Sequence, residues 1–350
     1  MTSLCIVGAG AVGGFIGARL ARSGQALNVL ARGQTLEALR SQGLTLIEGE
    51  RSETFAVNAQ GDPAALGTQD VVVLAVKAPA LPQLAQTIGP LIGPDTVVVT
   101  AMNGVPWWFF ERPGPHAGLS LRTVDPQGVI ARAIPAAQVI GCVVHLTAAT
   151  PAPATVRHGF GARLILGAAG GGTGMAAGRL EAVASLLASG GLEVERSAAI
   201  QQDIWFKLWG NMTMNPVSVL TGATCDRILD DPLVNRFCLS VMEEASKIGA
   251  LIGCPIVQSG EERSQVTRKL GAFKTSMLQD AEAGRPVEID ALVAAVREIG
   301  SGARNWRARR DRDPQHRRTA GLGTAACAGA RALLTRCVRV MGFCILAINQ

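Results

Sequence analysis

The chain has 350 residues, 48% of them hydrophobic and 41 of them glycine, a length that suits two domains better than one small core. Its eight cysteines form no C-x-x-C pair and its four histidines are dispersed, which argues against a disulfide framework or a metal centre and suits a reducing cytoplasm. The net charge of +6 is local: residues 301–350 carry ten Arg and two Asp with no Lys or Glu, so the first 300 residues are net −2 and a nucleic-acid partner loses its support. No twenty-residue stretch is free of charges and helix breakers, so no membrane span is expected. The opening segment carries no Lys or Arg before Arg19 and reads as a first strand and helix rather than a signal peptide.

Residues 4–8 are a short apolar run ending in glycine, and helical spacing follows to about Ser23. A second apolar run at 26–31 ends at Arg32-Gly33, and valine-rich runs follow at 71–76 and 96–101. Strands apolar on both faces, alternating with helical segments, predict a parallel sheet covered on both sides. Two β-like segments within 139–168 extend it, and a glycine-rich turn at 170–174 precedes a helix over 175–189. From Ala199 the spacing turns helical over 200–220, 232–252, 260–282 and 287–299. The expected fold is α/β: an N-terminal Rossmann-type doubly wound sheet (1–198) followed by an all-α C-terminal domain (199–300). Residues 301–350 switch abruptly to Arg, Ala and Gly. A solvated tail, a basic arm and out-of-frame translation of a GC-rich gene all account for this, and the abruptness favours the last.

Gly8-Ala9-Gly10-Ala11-Val12-Gly13 is a G-x-G-x-x-G loop between a strand and a helix. Gly8 allows the tight turn, Gly10 lets backbone approach a pyrophosphate, and Gly13 lets helix pack on strand. Ala11 and Val12 open the helix, whose N–H groups and positive dipole end suit phosphate. At the end of the second strand, where NAD binders place an acid, the chain has Leu30-Ala31-Arg32-Gly33. A guanidinium there suits a 2′-phosphate, so the expected cofactor is NADPH/NADP.

Lys77 and Asn103 follow the third and fourth strands, at the ends that face the ligand in such sheets. Lys207, Asn211 and Asn215 share one helical face amid Trp205, Phe206, Leu208, Trp209, Met212 and Met214, a setting in which polar groups need partners or a ligand. Ser276, within Ser-Met-Leu-Gln-Asp, is either a helix cap or a site residue. Glu288, within Glu-Ile-Asp, either opens the next helix or serves the site.

These motifs resemble the ketopantoate reductase (2-dehydropantoate 2-reductase) family from Met1 to about Gly300. The resemblance implies NADPH-dependent reduction of 2-dehydropantoate to pantoate, in pantothenate biosynthesis. It makes Lys207 the general acid and Glu288 a carboxylate beside the reacting hydroxyl. It assigns Asn103, Asn211, Asn215 and Ser276 to the substrate's oxygens, with Lys77 and Asn103 lining the cofactor. The implied setting is a cytoplasmic enzyme acting on a small 2-keto acid, without metal, nucleic acid or membrane partner, for which a homodimer is a compatible assembly. Leu220–Cys225 lacks an asparagine usual in the family, and Trp107-Trp108 makes the Asn103 loop bulky. A reductase of another 2-keto acid is therefore the second reading. An NADP-binding protein with impaired catalysis is the third, on account of the C-terminal change.

Overall fold

The computed structural model describes residues 2–172 and 174–310, the last seven of these by backbone alone. The chain divides into two compact units, Met1–Asp203 and the part from Ile204 on.

The first unit is built on strands β1 (Leu4–Val7), β2 (Asn28–Leu30), β3 (Leu44–Glu48), β4 (Arg51–Phe55), β5 (Asn58–Gln60), β6 (Val71–Leu74), β7 (Val97–Thr100), β8 (Val139–Ala152), β9 (Thr155–Ala168) and β10 (Glu193–Arg196). They form one sheet in the order β4-β3-β9-β8-β7-β6-β1-β2-β5, with β10 beside β9. Pairing is parallel except for the β3–β4 and β8–β9 hairpins. β1, β6 and β7 are buried along their whole length, as strands covered on both faces must be. The helices are α1 (Ala11–Arg22), α2 (Gly33–Gln42), α3 (Leu81–Ala85), α4 (Val129–Ala133) and α5 (Met175–Ser189).

Helix α1 packs on β1 and also on β3, β8 and β9, so the sheet curls around it. Close approach makes this possible: a Cβ at Gly14 would lie 2.5 Å from Cγ2 of Val156 on β9. At Gly13 the approach is tighter, and a Cβ would fall 2.1 Å from the Gly8 carbonyl oxygen and 2.9 Å from the Ala75 Cβ.

The second unit is helical: α6 (Ile200–Thr221, its first turn in the first unit), α7 (Cys225–Asp230), α8 (Pro232–Leu251), α9 (Gly260–Arg268), α10 (Ser276–Glu282) and α11 (Ala295–Arg310). Asp231 caps α8, with Pro232 at its first position, and Ser259 and Glu262 cap α9 reciprocally. The single helix expected over 260–282 is two helices. Gly271 takes φ +64°, and the Thr275 side chain accepts from the Leu278 N–H to start α10 afresh.

The helix expected over 287–299 begins with a π-helical turn at Asp290–Ala294 and passes Gly300 without interruption, with Ile299 and Ala303 both buried. The change of sequence at Ser301 therefore falls inside a helix. The remainder of the atypical tail, 311–350, lies outside the described residues. No helix among the described residues is long and apolar enough to cross a membrane.

Gly13→Ala is expected to lower unfolding free energy by about 3 kcal/mol or more, because a backbone carbonyl cannot yield as a side chain can. Urea denaturation reads this directly, and a wild-type midpoint would refute the close packing.

Candidate active site

The glycine loop leaves β1 at Val7 and turns at Gly8, whose φ of +94° is open to glycine at little cost. Gly10 differs from its neighbours: it is exposed, and a Cβ there would meet nothing within 4 Å. Helix α1 begins just beyond, with no side-chain cap and no acid in its first turn. The first N–H groups of a helix, here those of Ala11 and Val12, have no intrahelical acceptor and favour an anion. Open space over an uncapped helix end fits a dinucleotide pyrophosphate.

β2, β1, β6 and β7 are consecutive parallel neighbours, so their carboxyl ends lie along one edge of the sheet. Gly8, Arg32, Lys77 and Asn103 all follow those ends. Arg32 is exposed at the start of α2, and its Nη1 donates to Oε1 of Gln83 on α3 at 3.4 Å. Lys77 is half-buried at the start of a short 3₁₀ turn, Ala78–Ala80. Asn103 is half-buried before Gly104, which takes φ +83°. Trp107 and Trp108 turn into the core instead, 7% and 1% exposed, with Trp107 Nε1 donating to the Ile134 carbonyl at 3.3 Å. The bulk expected beside Asn103 is thus absorbed by packing.

In the second unit, two indoles anchor α6 to α8. Trp205 Nε1 donates to the Ala245 carbonyl at 3.3 Å, and Trp209 Nε1 to the Met242 carbonyl at 2.7 Å. With both rings buried, Lys207 and Asn211 stand on the other side of the helix, half-exposed, while Asn215 one turn on is buried. Phe206 and Met214 share the outward side and are not buried as their apolar character predicts.

Asn215 is tied to α10. Ser218 Oγ donates to the Asn215 carbonyl at 2.7 Å and lies 2.6 Å from Thr275 Oγ1. Ser276, the next residue, is exposed at the first position of α10, and Thr275 rather than Ser276 is the cap. Glu288 is 9% exposed and immediately precedes the helical chain that opens on the π turn. Such turns recur at functional sites. The link between Ser218 and Thr275 is not legible in the sequence, since each reads as an ordinary polar residue until the two helices meet.

Five buried cysteines (5, 142, 225, 238 and 254) are free thiols. Burial pushes Cys5 and Cys238 up to about 12 and Cys225 to about 11, so these three offer no thiolate at neutral pH.

The family profile for ketopantoate reductase PanE/ApbA matches residues 4–171, and its C-terminal counterpart matches 199–304. The chain belongs to the ketopantoate reductase family. A 2-dehydropantoate 2-reductase of Mesorhizobium japonicum is 42% identical over 299 residues, covering 85% of this chain and 91% of that one. A crystal structure from Ralstonia solanacearum MolK2, provisionally assigned as a ketopantoate reductase, is 57% identical with a TM-score of 0.86, covering 100% and 99% of the two chains. A D-mandelate dehydrogenase bound to NADH and anilino(oxo)acetate shares the fold, with a TM-score of 0.76 at 18% identity over 99% of each chain. In this ketopantoate reductase family chain the first profile spans Gly8 to Asn103 and the second spans Lys207 to Glu288.

Gly10→Ala is expected to leave thermal stability within about 2 °C of wild type, because the new methyl meets no protein atom. It should weaken dinucleotide binding about tenfold or more by occupying the pyrophosphate's approach. Melting curves and fluorescence titration with NADPH separate the two effects.

Proposed function

We propose that the protein reduces 2-dehydropantoate to pantoate with NADPH, serving pantothenate biosynthesis. The observation that carries this reading is the presentation of Lys207 and Asn211 on the outward side of α6, with Asn215 linked through Ser218 and Thr275 to the start of α10 at Ser276. That arrangement offers one ammonium and several neutral hydrogen-bonding groups, the donor set a keto acid requires.

When bound, the nicotinamide supplies a hydride to C2 of the keto acid. Lys207 Nζ gives a proton to the oxygen on C2, which stays bonded there and becomes the hydroxyl of the 2-hydroxy acid. Asn103, Asn211, Asn215 and Ser276 hold substrate oxygens, and Glu288 accepts a hydrogen bond from the hydroxyl as it forms. Gly8, Gly10 and Gly13 shape the pyrophosphate seat, with N–H groups of Ala11 and Val12 directed at it. Lys77 lines the cofactor side, and Arg32 reads the 2′-phosphate.

Cofactor choice rests on the end of β2, where Arg32 stands exposed and no acid is available to the ribose hydroxyls. The buried thiols fit a cytoplasmic enzyme, and a homodimer is its proposed assembly.

Lys207→Ala is expected to cut kcat/KM for 2-dehydropantoate by about 10²- to 10⁴-fold while NADPH affinity holds. Stopped-flow NADPH oxidation and equilibrium titration give the two numbers, and undiminished turnover would remove Lys207 from its role. Arg32→Ala should raise KM for NADPH about 10- to 100-fold and leave KM for NADH unchanged. Equal effects on the two coenzymes would refute Arg32 as the 2′-phosphate reader.

A further inference from the structure

Arg263 lies on α9, four residues past the Ser259 cap, and reaches across to α6. Its Cζ sits 5.5 Å from the centroid of the Phe206 ring. A Cβ at Gly210 would fall 3.2 Å from both Nε and Nη2 of this arginine. The guanidinium therefore rests against the backbone of α6, over the row formed by Phe206 and Gly210. Glycine inside a helix costs about 1 kcal/mol relative to alanine. At Gly210 that cost provides the seat.

The row next to it on α6 carries Lys207 and Asn211. Gly210 and Lys207 are i,i+3 neighbours, about 5–6 Å apart at Cβ. Arg263 is thus beside the outward polar face of α6, on the side where the proton donor stands.

Its charge is not answered among the described residues. Nε is buried without a hydrogen-bond partner, and among the described residues no carboxylate forms an ion pair with Arg263. Glu262, its sequence neighbour, is taken up by the Ser259 backbone. Burial alone lowers the pKa of the guanidinium, with no neighbouring carboxylate to offset it. A half-buried arginine with open donors, beside a lysine and an amide, is a receptor for a planar anion. Lysine gives a point charge, whereas the guanidinium fork matches a carboxylate.

We propose that Arg263 anchors the substrate's carboxylate, leaving Lys207 to the adjacent keto oxygen. The assignment rests on Lys207 being the proton donor to a 2-keto acid. It divides recognition between two cations: the fork binds the group common to all 2-keto acids, and the ammonium acts on the group that reacts. Arg263 is a binding residue and takes no part in proton transfer.

The test compares wild type with Arg263→Met, which keeps a long apolar stem over Phe206, and Arg263→Lys, which keeps the charge without the fork. Calorimetry with NADP present measures binding of pantoate and of its methyl ester, and steady-state turnover uses 2-dehydropantoate. Arg263→Met should weaken pantoate binding about 10- to 100-fold, raise KM in proportion and change kcat by less than about threefold. Ester binding should stay unchanged, and Arg263→Lys should recover part of the loss for the acid.

An equal loss for acid and ester, no loss for the acid, or a wild type that does not prefer the acid would overturn the assignment. If Arg263→Met fails to fold, the acid-to-ester ratio in Arg263→Lys decides, a wild-type ratio overturning the assignment. Wild-type turnover reports separately on the function. Arg263-dependent binding of the acid without NADPH oxidation would sink the reductase reading alone, and wild-type kinetics in Arg263→Met would sink the anchor alone.

Discussion

The chemistry proposed for the second unit depends on a constraint at two indole nitrogens. A tryptophan buried without a partner for its N–H forfeits a hydrogen bond, so the rings at 205 and 209 settle where main-chain carbonyls of α8 can accept. One such bond would place the helix. Two, separated by a single turn, also fix its rotation. At about 100° per residue, a side chain two positions from each ring points to the opposite side. Lys207 occupies that position. Its placement is therefore set by the hydrophobic side of its own helix, and the polar residues need do nothing to orient it.

The first unit reaches a comparable result through absence of side chains. Gly13 and Gly14 let α1 settle onto strands from both halves of the sheet, and the curl of the sheet follows from how closely that helix sits. Gly10, on the same loop, is unconstrained by the protein, and its missing side chain is explained only from outside the chain. Three glycines in five residues thus answer two different demands, internal packing and access for a ligand.

Much of this was legible in the sequence. The loop, the valine-rich strands and the i,i+4,i+8 spacing of Lys207, Asn211 and Asn215 are local patterns, and local patterns survive into structure. What was not legible is long-range or weakly patterned. β4 is an exposed hairpin strand reading Arg-Ser-Glu-Thr-Phe, and β5 is three residues long, so neither shows an apolar run. The break after α9 depends on one left-handed glycine in an otherwise continuous helical spacing. The Ser218–Thr275 contact joins residues 57 positions apart. Trp107 and Trp108 could be recognised as bulky, but nothing nearby in sequence indicates that they turn inward.

One contact behind the indole anchor has an evolutionary corollary. A Cβ at Gly249 on α8 would lie 2.3 Å from Trp205 Nε1, so ring and gap form a matched pair. A larger residue at 249 would press on both the Trp205 ring and the Cys254 carbonyl oxygen, 2.5 Å from the same Cβ, and a displaced ring would release the rotation of α6. A smaller residue at 205 would clear only one of these two obstacles, so descendant sequences should keep glycine at 249 whatever stands at 205. Through that contact, a substitution on α8 can alter the bearing of Lys207, the proposed proton donor.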